Sequence, residues 1–128
     1  MVNIDDLIKF ENENSGLDFK AIQYKRDQNE DLIKDILSMS NSDIDNDRYI
    51  IIGIKLRADG ERDLLGVNED FIDSSTYEQL IIENIEPNIS LEYFPFDFEG
   101  RKYGILRIFN CNNQPYMMKK DHGRLKKG

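Results

Sequence analysis

The chain has 128 residues, enough for one domain with a real core and too few for two. Charged residues make up 33% of it and the net charge is −8, which favours solubility and disfavours contact with bare phosphate over most of the surface. One cysteine cannot build a disulfide framework, and neither a signal peptide nor an apolar run of roughly 20 residues is present, so the expected compartment is the cytoplasm, with no membrane contact.

Asn3 is placed to cap a short helix with Asp5 and Asp6 in its first turn and Ile4, Leu7, Ile8 and Phe10 on its apolar side. After a polar break over 11–16, residues 17–22 alternate as a half-buried strand, Leu17 and Phe19 against Asp18 and Lys20. Asp27 and Glu30 have the spacing of a capping box, and Leu32, Ile33, Ile36 and Leu37 follow at helical spacing, so a helix is predicted over about 28–40. An acidic loop, 43–47, leads into Arg48-Tyr49-Ile50-Ile51-Ile52-Gly53-Ile54-Lys55. That β-branched run predicts a central strand buried on both faces, with Ile50, Ile52 and Ile54 on one and Tyr49 and Ile51 on the other. Gly53 marks a bulge or a close backbone approach within it.

Asp59-Gly60 turns the chain into an antiparallel strand containing Leu64, Leu65 and Val67. Ser75 and Glu78 form a second capping-box pattern, opening a helix that carries Tyr77, Leu80, Ile81 and Ile85 inward and stops before Pro87. From Ile89 the apolar pattern changes face, Ile89 and Leu91 first and then Phe94, Phe96 and Phe98, which places a bulge at Pro95 in a strand near the sheet edge. Glu99-Gly100 turns into a further strand, Tyr103 to Phe109, and residues 115–118 offer a short edge piece before a basic tail. The element order predicts one α+β domain over 1–128: a mixed, mostly antiparallel sheet with about three helices packed on it.

Charge is unevenly spread. Residues 116–128 hold Lys119, Lys120, Arg124, Lys126 and Lys127 against Asp121 alone, a local +4 that leaves −12 on the rest of the chain. This tail is the segment suited to contacting phosphate, and Tyr116 before it is placed to stack on a base. The plainer reading is a charged hairpin turning at Asp121-His122-Gly123. Asp43, Asp45 and Asp47 have calcium-loop spacing, but the glycine and glutamate that an EF-hand needs are replaced by Arg48 and Ile54, so a solvated connection is expected. No G-x-G-x-x-G or Walker spacing exists to cradle a nucleotide, and the single histidine, His122, has no nucleophile near it in sequence.

Several landmarks occur in the order found in the Schlafen AlbA-like domain, also described as a DNA-binding or divergent AAA domain. That family's Glu-x4-Glu-Phe-Lys resembles Glu13 followed by Asp18-Phe19-Lys20, and its Phe-Ala-Asn-Thr-x-Gly-Gly helix end and Ile-Gly-Val strand resemble Met39-Ser40-Asn41-Ser42 and Ile52-Gly53-Ile54. Leu65-Gly66-Val67, Ile85-Glu86-Pro87, the strand Tyr103 to Phe109 and Pro115-Tyr116 follow in register, so the resemblance spans nearly the whole chain. Two departures stand out. Residues 43–47 replace the double glycine, and the chain ends where relatives continue into a strand bearing Arg-x-Gly, which suggests a fragment of a longer multidomain protein.

The resemblance implies a nucleic-acid-binding or regulatory module, with DNA or RNA and other domains of the same chain as partners. ATP binding enters only through the family's alternative name. Some relatives are metal-dependent RNA nucleases, for which Glu13 and Asp18 correspond to two catalytic carboxylates; three such groups hold Mg²⁺ or Mn²⁺, which orients water and offsets phosphate charge. The third, an aspartate after the Ile-Gly-Val strand, is replaced here by Lys55 or Leu56. With that member missing, the favoured reading is that Glu13 and Asp18 are surface acids, that Lys55 competes with any metal, and that the domain alone does not cleave nucleic acid. An assembly scaffold is the third reading, which the acidic body would suit.

Overall fold

The computed structural model describes residues 2–128. Its elements are α1 (Ile4–Lys9), β1 (Leu17–Lys20), a 3₁₀ turn (Arg26–Gln28), α2 (Asn29–Ser40), β2 (Arg48–Ile52), β3 (Ile54–Leu56), β4 (Arg62–Leu64), α3 (Ser74–Asn84), β5 (Ile85–Glu86), β6 (Ser90–Phe98), β7 (Arg101–Phe109) and β8 (Met117–Met118). A four-stranded sheet in the order β1-β2-β7-β6 forms the centre; β1 runs parallel to β2 and the other pairs are antiparallel. Two small antiparallel pairs, β3–β4 and β5–β8, flank it. The predicted α+β class, mixed sheet and three helices are all present.

The β-branched run explains the centre. Every residue of β2 is buried, and the strand is sandwiched between β1 and β7. Ile50 and Ile52 join Leu91, Tyr93, Leu106 and Ile108 beneath α2 and α3, whose Leu32, Ile33, Ile36, Tyr77 and Ile81 complete that core. Tyr49 and Ile51 meet Leu17, Phe19, Tyr103 and Ile105 on the opposite face, covered by Ile8 of α1 and by the β3–β4 hairpin.

Gly53 breaks the expected alternation. Its φ of +110° is left-handed backbone, which glycine enters without steric cost. Its carbonyl accepts from both Leu65 N and Gly66 N at 2.9 Å, and a Cβ would stand 2.9 Å from the Gly66 carbonyl carbon. The turn ends β2 and resets side-chain parity, so Ile54 joins Tyr49 and Ile51 rather than Ile50 and Ile52.

Three other local expectations are corrected. β6 contains no bulge at Pro95: it pairs with β7 residue for residue from Ser90↔Phe109 to Phe98↔Arg101. Its odd-numbered residues Leu91 and Tyr93 face the helices, whereas Phe94, Phe96 and Phe98 face the second core, so the apparent switch is one strand buried on both sides. Pro95 is accommodated because β6 is an edge strand and residues of its parity point their N–H groups outward, as Tyr93 N does towards Ser74 Oγ at 2.9 Å.

Asp27 does not cap α2; it lies in the 3₁₀ turn, where Gln28 Oε1 accepts from Lys25 N at 3.0 Å. At α3 the cap is Asp73, accepting from Ser75 N at 2.9 Å, while Ser74 Oγ donates to Glu78. Asn3 caps α1 as expected.

Close packing is sharpest at Gly104. A Cβ there would meet Tyr93, whose Cζ would lie 2.8 Å away. The Tyr93 hydroxyl donates to Gln23 Oε1 at 2.8 Å and cannot retreat without breaking that buried bond. Gly104→Ala is therefore expected to cost about 1–3 kcal/mol through overpacking, read as a lower urea midpoint. An unchanged midpoint would mean that the Tyr93 ring has room to move.

Candidate functional site

Side-chain alternation on β1 creates the most distinctive surface. Leu17 and Phe19 point into the α1-side core, which sends Asp18 and Lys20 to the α2 side, where an edge strand next to a helix leaves an open groove. The groove encloses about 410 Å³ and is lined by Glu13, Asn14, Leu17, Asp18, Asp35 and Met39 together with three serines. Glu13 and Asp18, singled out in the sequence, are thus brought together. Asp35 joins them from the middle of α2, four residues after Asp31, where periodicity marks it only as a polar-face acid.

Each carboxylate already has protein partners. Glu13 Oε2 and Asp18 Oδ1 both accept from Phe19 N at 3.0 Å, an outward-facing amide of the edge strand. Lys20 Nζ lies 3.4 Å from Asp18 Oδ2 and 3.4 Å from Asp35 Oδ2. The Tyr24 hydroxyl donates to Asp35 Oδ2 at 2.6 Å; burial, and then Asp35 itself, push its ionisation well above the ordinary range, so it remains a donor. The hydrogen bond with Asp18 and then burial raise the Glu13 carboxyl above its usual 4.5, while the Phe19 amide opposes them.

Glu13 yields a pH prediction. A carboxyl raised in the folded state favours folding while it is protonated, and that contribution fades as pH climbs through its raised value. The Glu13 side-chain carbonyl resonance is expected to titrate above 4.5, and at a lower pH in Asp18→Ala. A midpoint unmoved by that substitution would show that the two groups do not interact.

Among the described residues, no three histidine, cysteine, aspartate or glutamate side chains stand close enough to hold one metal ion. Glu13, Asp18 and Asp35 line one groove without meeting as a three-ligand set for the divalent ion that some relatives use. Lys55, expected to compete for such a site, is exposed on β3 opposite Asp63; the cation at the acidic groove is Lys20.

The loop replacing the family's double glycine is built on Arg48, which is 2% exposed. Its guanidinium donates to Met39 O at 2.9 Å, Asn46 O at 2.9 Å, Ser42 O at 2.8 Å and Ile44 O at 3.2 Å, organising the acidic residues by their backbone. Asp47 pairs instead with Arg107, whose guanidinium also binds Glu92.

The basic tail forms the predicted hairpin, closed by a reciprocal bridge between His122 and Leu125. It is tied down: Lys119 Nζ donates to Ile82 O at 2.8 Å, Arg124 Nε donates to Glu30 at 2.9 Å, and Gly128 N reaches Met118 O. The Arg124 guanidinium holds the Glu30 carboxyl below its usual range. Lys120, Arg124, Lys126 and Lys127 are exposed, and Lys119 is half-buried. Tyr116 does not share that surface. It is 3% exposed within the helix-side core, and its hydroxyl accepts from Asn113 N, so it has no ring face free for a base. Its placement follows from its neighbours: β8 pairs with β5, and Asn41 exchanges two hydrogen bonds with the Tyr116 backbone.

A mixed four-strand sheet with two helices on one face, a third on the other and an acidic groove at its parallel edge defines a compact α+β class of domain. The Schlafen, AlbA_2 family profile matches residues 13–127, and the chain belongs to that family. Its fold is similar to that of the N-terminal domain of a RecG-related protein from Nitrosomonas europaea, with a TM-score of 0.60 at 12% identity, covering 100% of this chain and 90% of that one. No curated protein matches the sequence. Among the described residues, no helix is long and apolar enough to cross a membrane.

Proposed function

We propose that this domain is a nucleic-acid-contacting module of a larger protein and that, alone, it does not cleave its ligand. The observation carrying the reading is the concentration of exposed positive charge on the 119–127 hairpin, set apart from an otherwise acidic body. Cations gathered on one tied-down element suit phosphate contact, because each phosphate that a lysine or arginine neutralises releases condensed counterions and so adds to affinity. The Schlafen family assignment supports the same reading, as does a similar fold in a protein named for its relation to an ATP-dependent DNA helicase. With Tyr116 buried, contact runs through Lys120, Arg124, Lys126 and Lys127 and is electrostatic rather than base-stacking.

Labelled tRNA and single-stranded DNA, with and without Mn²⁺, provide the test. Binding is expected to be weak, to fall steeply with added salt, and to drop about tenfold or more when Lys126 and Lys127 are both replaced by glutamate. No cleavage is expected. Mn²⁺-dependent cleavage abolished by Glu13→Ala with Asp18→Ala would replace this reading with that of a nuclease. Salt-insensitive binding, or binding indifferent to the tail substitutions, would remove the hairpin from the interface.

A further inference from the structure

We propose that the Lys20 ammonium, rather than a divalent ion, is the resident cation of the groove between β1 and α2, where it ties Asp18 of the strand to Asp35 of the helix. The inference is independent of the tail's role in nucleic-acid contact. A lysine at this place belongs to the family motif; Asp35 lies outside every motif that carries the resemblance.

Four observations support it. Lys20 Nζ is equidistant from its two carboxylates, 3.4 Å from Asp18 Oδ2 and 3.4 Å from Asp35 Oδ2. One positive charge therefore contacts both the strand acid and the helix acid that line the groove. Glu13 and Asp18 each direct an oxygen at the Phe19 amide, so part of the donor set is committed to the sheet edge. Asp35 is further fixed by the Tyr24 hydroxyl at 2.6 Å, and Tyr24 is itself buried in the helix-side core. The third acid of the motif is absent, its place taken by residues that point elsewhere: Lys55 and Leu56 are both exposed on β3. A dication entering the groove would face an ammonium already in contact with Asp18 and Asp35, whose repulsion offsets part of the attraction of carboxylates that are themselves partly committed.

The arrangement gives the groove a mechanical role. Among the described residues β1 pairs with no other strand than β2, and the Asp18–Lys20–Asp35 bridge links it to α2.

Mn²⁺ titrated into the whole chain at neutral pH, followed by loss of the free-ion electron paramagnetic resonance signal, tests the proposal. The wild-type chain is expected to take up no Mn²⁺ at the groove, whereas Lys20→Met should bind it at least about tenfold more tightly. Wild-type uptake that Glu13→Gln with Asp18→Asn abolishes overturns the proposal, as does equal uptake, or none, by folded Lys20→Met. If that variant fails to fold, the wild-type result is joined by a second measurement. The Lys20 ammonium should give a solvent-protected ¹⁵N resonance that Asp35→Asn removes; free exchange with water overturns the assignment.

Discussion

Replacing Ile52 with alanine is expected to cost about 2–5 kcal/mol, the lost burial of three carbons plus the cavity they leave. Ile52 is 0% exposed and lies on the helix-facing side of the strand through which the sheet is organised. Collapse into the cavity is restricted on the β7 side. Its partner there is Gly104, which has no side chain to shift, and Tyr93 over that glycine is anchored by its hydroxyl to Gln23. Gln23 is 0% exposed and also accepts from Ile72 N, so the anchor is rigid. Ile52→Val, keeping the branch, should cost only about 0.5–1.5 kcal/mol. Urea melts of the pair give the comparison; similar midpoints for valine and alanine would refute the cavity argument.

Arg48→Met is expected to be at least as damaging, on the order of 3–5 kcal/mol. Methionine preserves the apolar stem but leaves four carbonyls of 39–46 without their shared donor. Met39 O belongs to the last turn of α2, so the guanidinium also places a positive charge at the negative end of that helix. Arg48→Lys is expected to recover little, because one ammonium cannot reach carbonyls spread over the fork of a guanidinium. Full rescue by lysine would show that charge alone, without geometry, holds the loop. The accompanying signal is amide exchange over 42–47, which should quicken in both variants if the loop loosens.

The sequence made most elements legible because their signals are local. The spacing of Leu32, Ile33 and Ile36 marks α2, and the uninterrupted isoleucines mark β2. What escaped was decided by partners distant in sequence. Pro95 looks like a bulge only if one face of β6 must be polar; burial of both faces requires the second core built by α1 and β3–β4. Tyr116 borders a basic segment in sequence, yet its hydrogen bonds to Asn41 bring it inward from 75 positions away. Asp35 carries no motif, and its meeting with Asp18 depends on α2 crossing the open side of β1. Gly53 was recognised as an interruption, but its effect on Ile54 follows from a φ that one-letter spacing cannot express.

Both borders of the central sheet are occupied. On β1, Asn14 exchanges hydrogen bonds with Leu17, and the outward Phe19 amide is covered by the Glu13 and Asp18 carboxylates. On β6, Ser74 takes the Tyr93 amide and Pro95 has none to offer. Free strand edges invite a neighbouring chain to extend the sheet. Here an approaching strand would first have to displace charged or hydroxyl side chains and would find gaps in the donor row. Contact with another chain is thereby steered away from backbone templating and towards side chains, whose replacement does not reopen the sheet to self-association.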